Sequence, residues 1–244
     1  MVRRAGKSGR RKGEEARPGW RRRLRRGLRW ALLGIAGAWL VILAVVALFS
    51  VVDPPRGIYM RQEAARLGGI RQEWADWSQI APVMGRSAVA AEDANFCLHW
   101  GFDMAAIRQA LDEGSGRGAS TITQQVVKNV FLWHGRSWSR KAMEAALTPI
   151  VETFWSKRRI LEVYLNVAEF DEGVFGVAAA AQHYFKVPPD RLTPQQAARL
   201  AAVLPSPKTR DAARPSAFVR TRAARIVDGA ETIRRDGRAA CFED

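Results

Sequence analysis

The run WALLGIAGAWLVILAVVALFSVV, Trp30 to Val52, places twenty-three residues in a row without a charged side chain. As a helix rising ~1.5 Å per residue it crosses a hydrocarbon core of about 30 Å. A secretory signal is the competing reading, but such apolar stretches are about 7–15 residues long and end in a small-residue cleavage site. Here the run passes into Asp53, Pro54 and Pro55 with no A-x-A pattern, so a retained single-pass anchor is expected. Residues 1–29 carry thirteen Arg and Lys against two Glu, a net +11 out of +15 for the whole chain. The charge is therefore a property of the leader rather than of the domain, since the remaining chain carries only +4. Basic flanks stay on the cytoplasmic side, which puts the tail inside and everything after Asp53 outside. Its arginines (Arg21, Arg22, Arg23, Arg25, Arg26, Arg29) suit topology and anionic headgroups; a nucleic-acid partner is not required.

The 244 residues leave room beyond the anchor for one substantial domain. Four segments are expected: a basic tail (1–29), a transmembrane helix (30–52), a juxtamembrane connector rich in turn formers (53–77) and a folded domain (78–240). Pro82 suits the first turn of a helix ending near Glu92. Met104, Ile107 and Leu111 mark a short amphipathic helix, and Ile122, Val126, Val127, Val130 and Phe131 the apolar side of another. From Ser139 to Val167 the pattern is helical almost throughout, with Met143, Leu147, Ile150, Val151 and Phe154 as one stripe and a kink at Pro149. GVFGVAAAAQHYF (Gly173 to Phe185) suits a tightly packed helix. Thr193, Pro194 and Gln196 open a capped helix that Pro205 and Pro207 stop. A last helix turns Val219, Ala223, Ile226, Val227 and Ile233 to one side. No segment shows period-two alternation, so the domain is expected to be mainly α. Cys97 and Cys241 allow one bridge without requiring it, and the three histidines stand too far apart to suggest a metal site.

The chemistry-bearing residues fall in three places. AVAAEDANFCLHWGFD (Ala88 to Asp103) delivers Glu92 and Asp93 from the end of an apolar helix into Phe96, His99, Trp100 and Gly101. A carboxyl among rings is pushed toward the range where it exchanges protons near neutrality; the alternative is a helix-terminal charge paired with an arginine. GSGRGASTITQQ (Gly114 to Gln125) is a donor-rich loop opening a helix, suited to an anion or to a plain cap by Ser120 or Thr121. Gln124 and Lys128 lie a turn apart on that helix. Arg140, Lys141 and Glu144 form either a surface pair of a few tenths of a kcal/mol or, with Arg136, a carboxylate in a cationic neighbourhood. Two carboxylates on different helices fit chemistry at a sugar anomeric carbon. The cations between them fit an anionic leaving group.

With these motifs in family order, the chain resembles the peptidoglycan glycosyltransferases, in particular the monofunctional membrane-anchored members, from Ile80 to about Pro207. EDANFCLHWG fits E-D-x-x-F-x-x-H-x-G, GASTITQQVVKN the second motif and RKAME the R-K-x-x-E motif; KRRILEVYLN and GVFGVAAAAQHYF complete the set. Ala178 departs from it, since relatives often carry an acid there. The resemblance implies a lysozyme-like helical fold with a smaller membrane-proximal lobe, polymerising lipid II on a growing lipid-linked glycan chain at the bacterial inner membrane, with the domain periplasmic. Glu92 is implied as the general base and Glu144 as the second essential acid. Ser120, Thr121, Gln124, Gln125, Lys128, Arg136, Arg140 and Lys141 are implied to bind substrate. Asp93, Phe96, His99, Gly101, Glu162, Tyr164 and Asn166 are implied to hold the site together. No tightly bound cofactor and no metal ligand is implied, although a divalent cation (Mg or Mn) could accompany the diphosphate. Cell-wall synthesis and division proteins are the implied partners. With no S-x-x-K in the outward part, cross-linking is expected to fall to another protein. A glycan-cleaving enzyme of the same fold and an inactive cell-wall scaffold are the rival readings.

Overall fold

The computed structural model describes residues 19–112, 120–135 and 137–243. Helix α1 (Gly19–Phe49) contains a stretch, Arg23–Phe49, long and apolar enough to span a membrane. Trp30, Leu32, Leu33, Ile35, Trp39, Leu40 and Val41 on it are all exposed. A helix apolar on every side has no reason to stay in water, and its backbone groups are already paired, so lipid is the solvent it suits. The chain divides near Val45, and Val46 to the C-terminus forms its own compact unit.

That unit begins with α2 (Ile58–Leu67) and β1 (Arg71–Gln72), followed by α3 (Pro82–Glu92), α4 (Met104–Asp112) and α5 (Ile122–Phe131). Next come α6 (Trp138–Phe154) and α7 (Lys157–Val167), then the hairpin β2 (Glu169–Asp171) and β3 (Val174–Phe175). Helices α8 (Val177–Phe185), α9 (Pro194–Val203), α10 (Ala217–Arg235) and α11 (Ala240–Glu243) complete it. The centre is α7, on which Ile160, Leu161, Val163, Tyr164, Leu165, Asn166 and Val167 are all buried. Helices α5, α8 and α11 pack around it, while α3, α9 and α10 pack on one another beside it. The alanines of α8 and α9 permit this close approach, as their sequence suggests.

The boundaries follow from caps. Thr121, Ser137, Ser156, Thr193 and Ser216 each accept the backbone N–H three residues on, and Gln124 and Gln196 close reciprocal capping boxes. The long helical stretch expected from Ser139 to Val167 breaks at Trp155 and Ser156 instead of bending only at Pro149. Ser156 caps α7, and the Trp155 indole is drawn inward to donate to the Val46 carbonyl at 2.7 Å. The stripe expected on α6 is also turned: Met143 and Phe154 are exposed, while Glu144, Leu147, Thr148, Val151 and Glu152 are buried. Two carboxylates lie on the buried face because each finds cations there.

Two further differences concern short elements. Residues 53–77, expected as a connector, contribute α2, whose Met60 and Glu63 are buried, and β1. β1 runs parallel to β3 (Arg71 opposite Val174), and β2 runs antiparallel to β3, giving the order β1-β3-β2. Strands of two or three residues are too short to display alternation, so Val174 and Phe175 read as the start of a helix that begins only at Val177. By contrast α4 begins at Met104 as expected but buries none of its residues, leaving Met104 and Leu111 exposed.

Candidate active site

Glu92 is the last residue of α3, and Asp93 caps that helix. The Asp93 carboxylate fastens two elements: Oδ1 lies 2.8 Å from His99 Nε2, and Oδ2 accepts the Ile122 N–H at the start of α5 at 3.0 Å. Since a carboxylate only accepts, His99 Nε2–H is the donor in this contact. The loop from Asp93 to Asp103 returns through Gly101, whose φ of +83° suits glycine and whose missing side chain leaves room for Thr148. A Cβ on Gly101 would come within 2.5 Å of the Thr148 methyl. The Gly101 carbonyl accepts the Thr121 hydroxyl at 2.7 Å, so loop and α5 meet again.

Helix α5 then presents Gln125 and Lys128 to the carboxylates. Gln125 Nε2 donates to Glu92 Oε2 at 3.0 Å. Lys128 feels both Glu92 and Glu144, and among the described residues its ammonium makes neither an ion pair nor a hydrogen bond. Glu144 is 3% exposed and accepts from Arg140 Nη1 at 2.6 Å and from Lys141 Nζ. Lys141 also reaches Ser120 Oγ at 3.5 Å. Three cations thus face two carboxylates, an excess of positive charge at which an anion can bind. Burial pushes the Glu92 carboxyl above its ordinary range, against the pull of Gln125, Arg222, Lys128 and Arg210. Burial likewise holds Lys128 below the ordinary lysine range.

The residues singled out from sequence divide by what they touch. Glu92, Gln125, Lys128, Ser120, Arg140, Lys141 and Glu144 are joined along α5 and the start of α6. Thr121 and Gln124 turn inward and serve the start of α5, since Gln124 Oε1 accepts the Thr121 N–H at 3.0 Å. Phe96 is fully buried beneath the Lys157 ammonium, and Lys157 pairs with Glu152, which accepts from Thr123. Glu162 accepts the Trp77 N–H, and Asn166 bonds both the N–H and the carbonyl of Ala75. These two lock the segment before α3 onto α7. Tyr164 is buried within the electrostatic reach of Glu92 and Asp93. Arg136 lies outside the described residues, as does the 113–119 part of the glycine-rich loop.

A cavity of about 430 Å³ opens beside Gln125, Lys128 and Tyr164 and runs to Tyr59, His134, Glu169 and Lys208. None of these last four stood out in the sequence. Tyr59 stacks on His134 at 3.7 Å, donates to Glu169 at 2.7 Å and lies under Lys208. Burial and the neighbouring cations hold His134 down at about 4, so its ring is neutral near pH 7. A second hollow is lined by Glu92, Asp93, Asn95, Asp103 and Ser120. Among the described residues no group of three or more His, Cys, Asp or Glu could hold a metal. Both Glu144 oxygens are engaged by cations. These residues do not fit a resident divalent ion.

Residues 61–231 match the family model described as Transglycosylase. The chain is 61% identical over 214 residues to a protein of Jannaschia sp. (strain CCS1) named biosynthetic peptidoglycan transglycosylase, covering 88% of this chain and 90% of that one. It is 52% identical over 205 residues to the protein of that name from Escherichia coli O127:H6, covering 77% and 85%. A third relative of the same name, from Escherichia coli SMS-3-5, is also 52% identical over 205 residues.

Proposed function

This chain belongs to the transglycosylase family, and on that premise we propose that it is a peptidoglycan glycosyltransferase that polymerises lipid II into β-1,4-linked glycan. Glu92 removes the proton from the 4-hydroxyl of the acceptor sugar. The freed oxygen forms a bond to the anomeric carbon of the lipid-linked donor chain while the bond from that carbon to the diphosphate breaks, inverting the centre. The diphosphate leaves with the electron pair. Lys128, Arg140 and Lys141 stabilise the charge it gains, an electrostatic role that commonly contributes most in such sites. Glu144 holds Arg140 and Lys141 in place, and Ser120 and Gln125 orient the substrate. No step passes through a metal; a divalent ion accompanying the diphosphate would arrive with the substrate.

One observation carries this reading: α5 holds the base through Gln125 and, a turn later, sets Lys128 in the field of both carboxylates. A glycan-cleaving enzyme would need Glu92 but would leave the cations around Glu144 without a task. Incubation of the purified full-length protein with lipid-linked disaccharide, and separately with intact sacculi, tests it. Growth of glycan chains is the expected result. Soluble fragments from sacculi without chain growth would establish lysis, and inertness toward both would establish a scaffold.

We place the domain on the periplasmic face of the bacterial inner membrane. The basic flank of the apolar helix supports this orientation, as does the Cys97–Cys241 disulfide, a bond characteristic of oxidising compartments. Cell-wall synthesis and division proteins are the partners proposed, since glycan strands have to be cross-linked and placed.

Lys128→Met supplies a further check. Loss of a cation facing the diphosphate is expected to lower kcat/KM by about 10²–10³. The melting temperature should stay level or rise. Lys128 has a folded pKa below its unfolded value, so between the two the unfolded chain binds more protons and stability climbs with pH; near pH 7 the buried ammonium is a cost that methionine removes. Activity assays and thermal melts of the same preparations read both effects.

A further inference from the structure

A carboxylate that serves as base has to be ionised before the acceptor arrives, and three features oppose that at Glu92. It is buried among packed helices. It ends α3, where unpaired carbonyls give the helix a partial negative charge that disfavours a nearby anion. Its neighbouring cation on α5, Lys128, lines the cavity where a diphosphate would sit, so a bound substrate cancels the field it supplies.

Helix α10 offers a cation, Arg222, that does not line this cavity. Arg222 Nη2 lies 3.7 Å from Glu92 Oε1, whereas Gln125 holds the other oxygen. The same nitrogen donates to the Ala91 carbonyl at 3.2 Å, one of the orphan acceptors at the end of α3. Among the described residues Arg222 Nε is buried without a hydrogen-bond partner, which leaves the terminal nitrogens to engage the end of α3. The approach is built into the helix packing. Gly229, seven residues on and on the same face, would place a Cβ 3.2 Å from that of Ala90, a tight contact that even alanine would relieve only by a shift of a few tenths of an ångström.

We propose that Arg222 is a positioning residue for the transfer reaction, a dedicated counter-ion that keeps the Glu92 carboxylate charged and aimed while the cleft cations are engaged by diphosphate. The other groups facing Glu92 are Gln125 and Lys128 on α5, Tyr164 on α7, and Arg210 after α9, itself held by the Ala202 carbonyl. Of these cations Arg222 alone forms an ion pair with Glu92 among the described residues.

The inference rests on Glu92 acting as the base. Its test is the pH dependence of glycan polymerisation from lipid-linked disaccharide by the full-length protein, measured for wild type, Arg222→Gln, Arg222→Lys and Glu92→Gln. Arg222→Gln is expected to move the acid limb of the profile up by about one pH unit, with about a tenfold loss on that limb and recovery above it. Arg222→Lys should return the limb toward the wild-type position. A glutamine variant whose acid limb stays in place, or a lysine variant displaced as far as the glutamine one, overturns the proposal. Should Arg222→Gln melt below the assay temperature, Arg222→Met, which keeps the stem packed, takes its place. An active Glu92→Gln enzyme would instead overturn the assignment of the base, a result distinct from an unmoved limb beside a dead Glu92→Gln.

Discussion

Glu92→Gln is expected to reduce glycan polymerisation by about 10²–10⁴-fold while leaving the protein folded, because general-base catalysis contributes that much and the amide cannot accept the proton. Its shape is kept, and the hydrogen bond with Gln125 can re-form with the amide oxygen as acceptor. Stability should not fall and is expected to rise slightly near pH 7. The carboxyl has a folded pKa above its unfolded value, so across that window the native state binds more protons and stability drops as pH increases. A neutral side chain is free of that loss. Thermal melts against pH check the sign, and glycan chains of normal yield from the variant would remove Glu92 from the mechanism.

Reduction of the Cys97–Cys241 bridge, or Cys97→Ser or Cys241→Ser, is expected to produce the largest stability change. The two cysteines are 144 residues apart, so the bond closes most of the outward domain into a loop. Loop entropy for such a span is worth about 4–5 kcal/mol, which corresponds to a fall in Tm of roughly 10 °C for a unit of this size. Either single variant should show the full effect and the double variant little more. The bridge joins α11 to the loop that carries Phe96 and His99, and Phe242 beside Cys241 packs on Phe96 and Trp77. Activity at the working temperature should therefore decline together with Tm. Reduced protein that melts with the oxidised form would show that the loop and α11 hold without the covalent link.

What could be read from the chain alone depended on how local its cause was. The end of α3 at Glu92, the cap at Thr121, the capping box at Thr193 and the apolar helix α1 each rest on residues within a turn or two of one another. The buried face of α6 was misread because periodicity counts apolar residues, while this helix buries Glu144 and Glu152 against cations from its own first turn and from Lys157. The pairing of Cys97 with Cys241 could not be chosen from two cysteines whose separation permits a bridge without demanding one. Arg222 was invisible for a related reason: it is 130 residues from Glu92, on a helix whose pattern announces only a packed face. Thr121 and Gln124 were assigned to substrate from their motif, yet T-x-x-Q is also a capping box, and the structure uses it as one.

The two bonds of Asp93 have a consequence for any polymer lengthened here. Because Glu92 is covalently next to Asp93, and Asp93 accepts the Ile122 N–H at the start of α5, the proposed proton acceptor and the helix bearing Lys128 are tied to one gauge. On the proposed function, a strand extended by a sugar unit is expected to slide through that gauge rather than widen it.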